Sequence, residues 1–169
     1  MEDLIVNKVA ESGIVTLNME SFKPAPETLS VFDIKPFLFR EMMLREKDFR
    51  AALATHDWEQ YRGRHVTVTC SADAIIPMWA YMLITTQLSP VAESIVSGTE
   101  EALEEQVLLR NILGMDAAAY ADKRVVIKGC GDKALPASAY VAVSEKLRPV
   151  VKSLMYGEPC STVPVYKKK

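Results

Sequence analysis

The chain is predicted to adopt an α/β fold, a single domain with a mostly parallel sheet of about four strands, helices on both faces and an N-terminal helix and strand extension. Two observations predict it. Short β-branched runs alternate with helical stretches opened by Pro77, Thr99 and Pro136. In addition, 169 residues that are 49% hydrophobic and only 25% charged suffice for one buried core and exclude global disorder.

The extension covers residues 1–64. Leu4 to Ala10 reads as a short apolar helix ended by Gly13. From Ile14 to Met19 the residues alternate, with Val15, Leu17 and Met19 on one face, as in a half-buried strand. That strand is expected to join the sheet edge in antiparallel fashion. Lys23-Pro24-Ala25-Pro26 interrupts the pattern. A helix is expected over 35–55, with Pro36 in its first turn and Phe39, Met42, Met43, Phe49 and Leu53 on its buried side. His56 to Gly63 reads as a connector.

Residues 65–164 form the expected core. His65 to Cys70 is a strand by its β-branched content. An apolar helix follows from Pro77 to Leu88, then a strand from Glu93 to Ser97. The next helix ends near Leu113, and its acidic start, Glu100 and Glu101, suits the helix dipole. Arg124 to Lys128 is the third strand. The helix after Pro136 places Tyr140, Val143 and Leu147 on one face, and Val150 to Met155 is the fourth strand. Right-handed crossovers favour the strand order 2-1-3-4. Thr67 and Thr69 alternate with valines in the first strand, which predicts a less covered face there. Residues 165–169 read as a frayed basic tail.

A net charge of -2 argues against a nucleic-acid surface. The most apolar stretch, Met78–Leu88, falls far short of the about 20 residues a membrane span needs. The acidic start is unlike a signal peptide, so a cytoplasmic protein is expected. The Met78–Leu88 helix is apolar on nearly every side. It is expected to be buried or to serve as a homo-oligomer interface.

Three cysteines are an odd count for a disulfide framework in a reducing compartment. Cys70 ends the first strand, Cys130 follows the third after one glycine, and Cys160 comes shortly after the fourth. With neighbouring strands about 4.8 Å apart, the expected order gathers all three at the C-terminal edge of the sheet. Cys70, Cys130 and Cys160 are therefore the candidate metal ligands, with Asp73 and Glu158 as oxygen donors. Soft thiolates select zinc, iron or an iron–sulfur cluster. Ser71, Ser161 and Thr162 are expected to steady the loops of a cofactor site, and Gly129 and Gly131 to let the backbone approach a ligand.

Three other readings stay open. One is a thiol-dependent enzyme or persulfide carrier. It lacks an obvious base, because His65 begins the strand that Cys70 ends, roughly 16 Å away, and His56 lies in the connector. The second is a phosphate or nucleotide site at Gly129, Gly131 and Ala134, which match G-x-G-x-x-A. The third is an interaction module built on the apolar helix.

The stretches TCSADAIIPMWAYML (Thr69 to Leu83), VVIKGCG (Val125 to Gly131) and SLMYGEPCSTVP (Ser153 to Pro164) resemble an uncharacterised bacterial family, domain of unknown function 2480. FDIKPFLF and EKDFR in the first half are similar as well, so the likeness covers nearly the whole chain. The family brings no established activity. Its genes tend to lie beside those for iron–sulfur cluster assembly. The resemblance thus implies a role in cluster or sulfur traffic, with iron–sulfur assembly proteins as partners.

Overall fold

The computed structural model describes residues 13–129, 131, 134–158 and 160–169. The α/β class with mostly parallel strands is what forms. The strands, however, divide between two sheets rather than one. They belong to two compact units. Pro24–Val107 is one, and Leu108–Lys169 together with the segment ending at Lys23 is the other.

In the Pro24–Val107 unit, β2 (Leu29–Asp33), β3 (His65–Thr69) and β4 (Ser94–Ser97) make a parallel sheet in the order β2-β3-β4. The pairing of β3 with β4 is the one expected from sequence. β2 was not expected, because a helix seemed to start just beyond it. Helix α1 (Glu46–Ala54) is shorter than that expected helix. The chain before it turns tightly, with Arg40 and Glu41 both at positive φ (53° and 57°) and Phe39 bridging Met43. Two successive left-handed residues cannot continue a helix. The Arg45 guanidinium lies 3.3 Å from the centre of the Phe39 ring, a contact that holds the turn.

Helix α2 (Met78–Leu88) buries Ala80, Ile84 and Leu88, while Met78 and Met82 remain exposed on the other side. The core of this unit gathers Phe32, Ile34, Phe49, Leu53, Val66, Val68 and Ile84. Each such large side chain contributes about 1.5–3 kcal/mol by burial. The connector after α1 adds rings to it. Trp58 stacks on Phe32 at 5.4 Å, and His56 meets Phe32, Phe37 and Trp58 edge-on. Thr67 is fully buried, contrary to the less covered face expected of β3. Its hydroxyl donates to the Gly98 carbonyl at 2.9 Å, which satisfies the group inside the core.

In the other unit, β1 (Ile14–Asn18), β5 (Arg124–Lys128), β6 (Ser153–Glu158) and β7 (Ser161–Lys167) form a sheet in the order β1-β5-β6-β7. β1 does take an edge, but it runs parallel to β5. Only β7 is antiparallel in this sheet, returning along β6 with a register shift between Leu154 and Met155. Val165, Tyr166 and Lys167 are thus strand residues, not a frayed tail, and Lys168 is held by Asp122 at 3.0 Å. Helix α3 (Glu100–Gly114) contains the boundary between the units. Its Leu108 and Ile112 join helix α4 (Ala137–Leu147) in covering one sheet face, where Leu17, Met19, Val125, Ile127 and Leu154 are buried.

The expected adjacency of the first and third strands does not form. β2 and β4 occupy the two edges of β3, and β1 and β6 occupy those of β5. Two strands missed or misplaced in the sequence reading took the hydrogen-bonding edges that the order 2-1-3-4 assigned to β3 and β5. The helix expected at Leu4 to Ala10 lies outside the described residues. Among the described residues, no helix is long and apolar enough to cross a membrane.

Candidate functional site

Parallel strands send the loops that follow them off the same sheet edge. Cys70 directly follows β3 and is half-buried, with its thiol 3.6 Å from the Ala72 carbonyl. Its neighbour Ser71 is fixed by a residue that sequence reasoning missed. Asp33 ends β2 and pairs in register with Thr69 at the end of β3. The Ser71 hydroxyl donates to Asp33 Oδ2, and Asp33 Oδ1 accepts the Ser71 and Lys35 amides, each at 3.0 Å. Burial pushes the Asp33 carboxyl up, but these hydrogen bonds and the Lys35 charge outweigh it and hold the pKa below the ordinary value. The signal was the Asp-Ile-Lys-Pro stretch, where an aspartate can cap its own backbone two residues on. Asp73 is exposed.

The other sheet presents the loops after β1, β5 and β6 at one edge. Glu158 ends β6, and its carboxylate pairs with Lys128, the last residue of β5, at 2.9 Å. An oxygen donor expected for a metal is thus shared with a cation. Cys160 is exposed in the hairpin between β6 and β7. Ser161 and Thr162 are strand residues of β7, paired with Glu158 and Gly157. Cys130 and its neighbour Asp132 lie outside the described residues. By sequence, Cys130 stands two positions past the end of β5.

The glycines around Cys130 lie close against neighbouring side chains. A Cβ at Gly129 would stand 1.8 Å from the Tyr140 hydroxyl, and one at Gly131 would stand 2.3 Å from Glu20 Oε1. Glu20 follows β1, so it belongs to the same edge. Lys23 pairs with Glu20 Oε2 at 2.8 Å, whereas Oε1 is buried without a hydrogen-bond partner. Nothing in the sequence singled out Glu20, because its position depends on β1 running parallel beside β5. Behind the edge, a cavity of about 320 Å³ is lined by Ile127, Tyr140, Ser144, Leu154 and Tyr156, with Tyr140 and Tyr156 in edge-to-face contact.

Both histidines meet other polar side chains. His56 Nε2 lies 3.4 Å from both the Tyr61 hydroxyl and the Gln60 amide, and His65 Nδ1 lies 2.7 Å from Ser94 Oγ. Among the described residues, no three His, Cys, Asp or Glu side chains form a group that could hold a metal ion.

Fold and edges together define an α/β protein of two sheets whose chemistry-bearing residues follow the C-terminal ends of parallel strands. The chain belongs to the family described as protein of unknown function DUF2480, whose model matches residues 3–168. No curated protein and no solved structure matches it.

Proposed function

We propose that this protein is a metal- or iron–sulfur-associated accessory protein that holds a thiophilic metal or cluster through its cysteines. One observation carries the reading. Glu20 Oε1 is buried and has no hydrogen-bond partner, at the edge where Cys160 follows β6 and Cys130 follows β5 in sequence. A carboxylate oxygen withheld from protein donors is costly unless something else meets it. Thiolates from the same edge would suit zinc or iron. Glu20, rather than Asp73 or the Lys128-bound Glu158, is then the oxygen donor. Ser71 steadies the Cys70 loop through Asp33, and Gly129 and Gly131 keep the edge open. The proposal extends to a cytoplasmic protein with iron–sulfur assembly proteins as partners, no nucleic acid, and a self-association face at the exposed Met78 and Met82 of α2.

Anaerobic purification followed by elemental analysis and an absorption spectrum tests the reading. Bound zinc or iron is expected, and it is lost in Cys130→Ser and Cys160→Ser. Metal-free protein that gains no spectrum on reconstitution with ferrous iron and sulfide would overturn it.

The exposure of Cys160 favours persulfide carriage as a second reading, since carriage needs an accessible nucleophile and no neighbouring base. Alkylation rates across pH separate the two. A metal site protects Cys160 until a chelator is added, whereas a carrier thiol reacts freely from the start.

A further inference from the structure

At the opposite end of β5 and β6, Arg124, Ser153 and Lys167 stand side by side in one row across three strands. In-register neighbours point their side chains to the same face. The row borders a cavity of about 440 Å³, within the usual size range for small-molecule sites. Lys152 adds another cation, and Met155 and Pro164, themselves a register pair, supply an apolar floor. Among the described residues that line it there is no carboxylate. The nearby Asp122 is engaged by Lys168. Ser153 Oγ is buried and has no hydrogen-bond partner.

We propose that this cavity binds a phosphate monoester carrying a small apolar or aromatic group. A dianion matches Arg124, Lys152 and Lys167, with guanidinium and ammonium both suited to phosphate oxygens. The Ser153 hydroxyl gains the partner it lacks, and the organic portion lies on Met155 and Pro164. The concentration of cations here stands out in a chain whose net charge is -2. None of these residues belongs to the thiol edges, so this site stands or falls independently of the metal reading.

The test is a titration of the full-length ¹⁵N-labelled protein with phenyl phosphate, inorganic phosphate and benzoate, followed through backbone amide shifts. Phenyl phosphate is expected to move the amides of Arg124, Ser153 and Lys167 and to bind at least about fivefold more tightly than inorganic phosphate or benzoate. Lys152→Gln and Lys167→Gln replace exposed side chains and are each expected to weaken it about three- to tenfold. Circular dichroism confirms that both variants fold. The absence of shifts at about 10 mM phenyl phosphate, shifts confined to other residues, or affinity unchanged in both lysine variants would overturn the site. Equal binding of inorganic and phenyl phosphate would overturn the ester assignment.

Discussion

Asp33 and Ser71 lie 38 positions apart in sequence, yet both the hydroxyl and the amide of Ser71 donate to the Asp33 carboxylate. The carboxylate thereby joins the ends of β2 and β3 and sets the start of the loop that carries Cys70. Asp33→Ala leaves Ser71 without this acceptor. We expect it to cost about 1–2 kcal/mol in urea unfolding and to speed alkylation of Cys70. The sign of the pH effect follows from the lowered carboxyl pKa. The stabilisation is complete above the unfolded value of 3.8 and is lost as pH falls through the lower folded value. Acid unfolding below pH 3.8 should be shallower in Asp33→Asn than in wild type. Equal acid profiles would show that the carboxylate does not couple to folding.

His56 gives a second pH dependence at a different place on the scale. Burial among Phe32, Phe37 and Trp58 holds its pKa below the ordinary 6.5, against the opposing pull of Asp57. The unfolded chain therefore takes up a proton first as pH drops. Stability is full above 6.5 and falls as pH descends toward the lower folded value. Urea midpoints at pH 7.5 and 5.5 should differ in wild type and converge in His56→Gln. A midpoint difference that persists in the variant would assign the effect to other groups.

Much of the chain was legible because its signals are local. Arg124–Lys128 is a strand by β-branched content alone, and the helices after Pro77 and Pro136 begin one residue past those prolines. The fourth strand was expected at Val150 to Met155 but runs Ser153–Glu158, because Val150 and Val151 are still bonded back to Leu147 at the end of α4. β2 and β7 escaped because each carries polar or proline residues, Ser30 and Asp33 in one and Ser161 and Pro164 in the other. Strand order is a long-range property. Once β1 and β2 claimed edges of β5 and β3, the single sheet edge predicted for Cys70, Cys130 and Cys160 could not form. Glu20 and Asp33 were illegible for the same reason, since each acquires its role only from the strand placed beside it.

Gly129 and Tyr140 make a packing prediction at the β5 edge. The Tyr140 hydroxyl donates to the Gly129 carbonyl at 3.4 Å and fills the space a Cβ would need. Gly129→Ala should destabilise the protein by about 1–3 kcal/mol through overpacking. Adding Tyr140→Phe removes the closest atom but leaves the ring carbons at 2.8 and 3.0 Å. Thermal melts of both variants should therefore show partial rescue and a positive coupling. Full rescue would mean that the hydroxyl alone makes the clash, and no loss in Gly129→Ala would mean that Tyr140 readily swings aside.

Glu20 separates folding from ligand binding. Its Oε1 has no partner to lose, and Oε2 contributes only a partly exposed pair with Lys23, worth about 0–1 kcal/mol. A buried oxygen without a donor opposes folding when ionised. Glu20→Gln should therefore change stability by no more than about 1 kcal/mol, in either direction, while lowering metal retention in anaerobically purified protein. Differential scanning calorimetry and elemental analysis on the same preparation read the two effects separately. A loss of several kcal/mol would make Glu20 a structural residue. Unchanged stability with unchanged metal content would remove it from the ligand set and leave the thiols alone to account for binding.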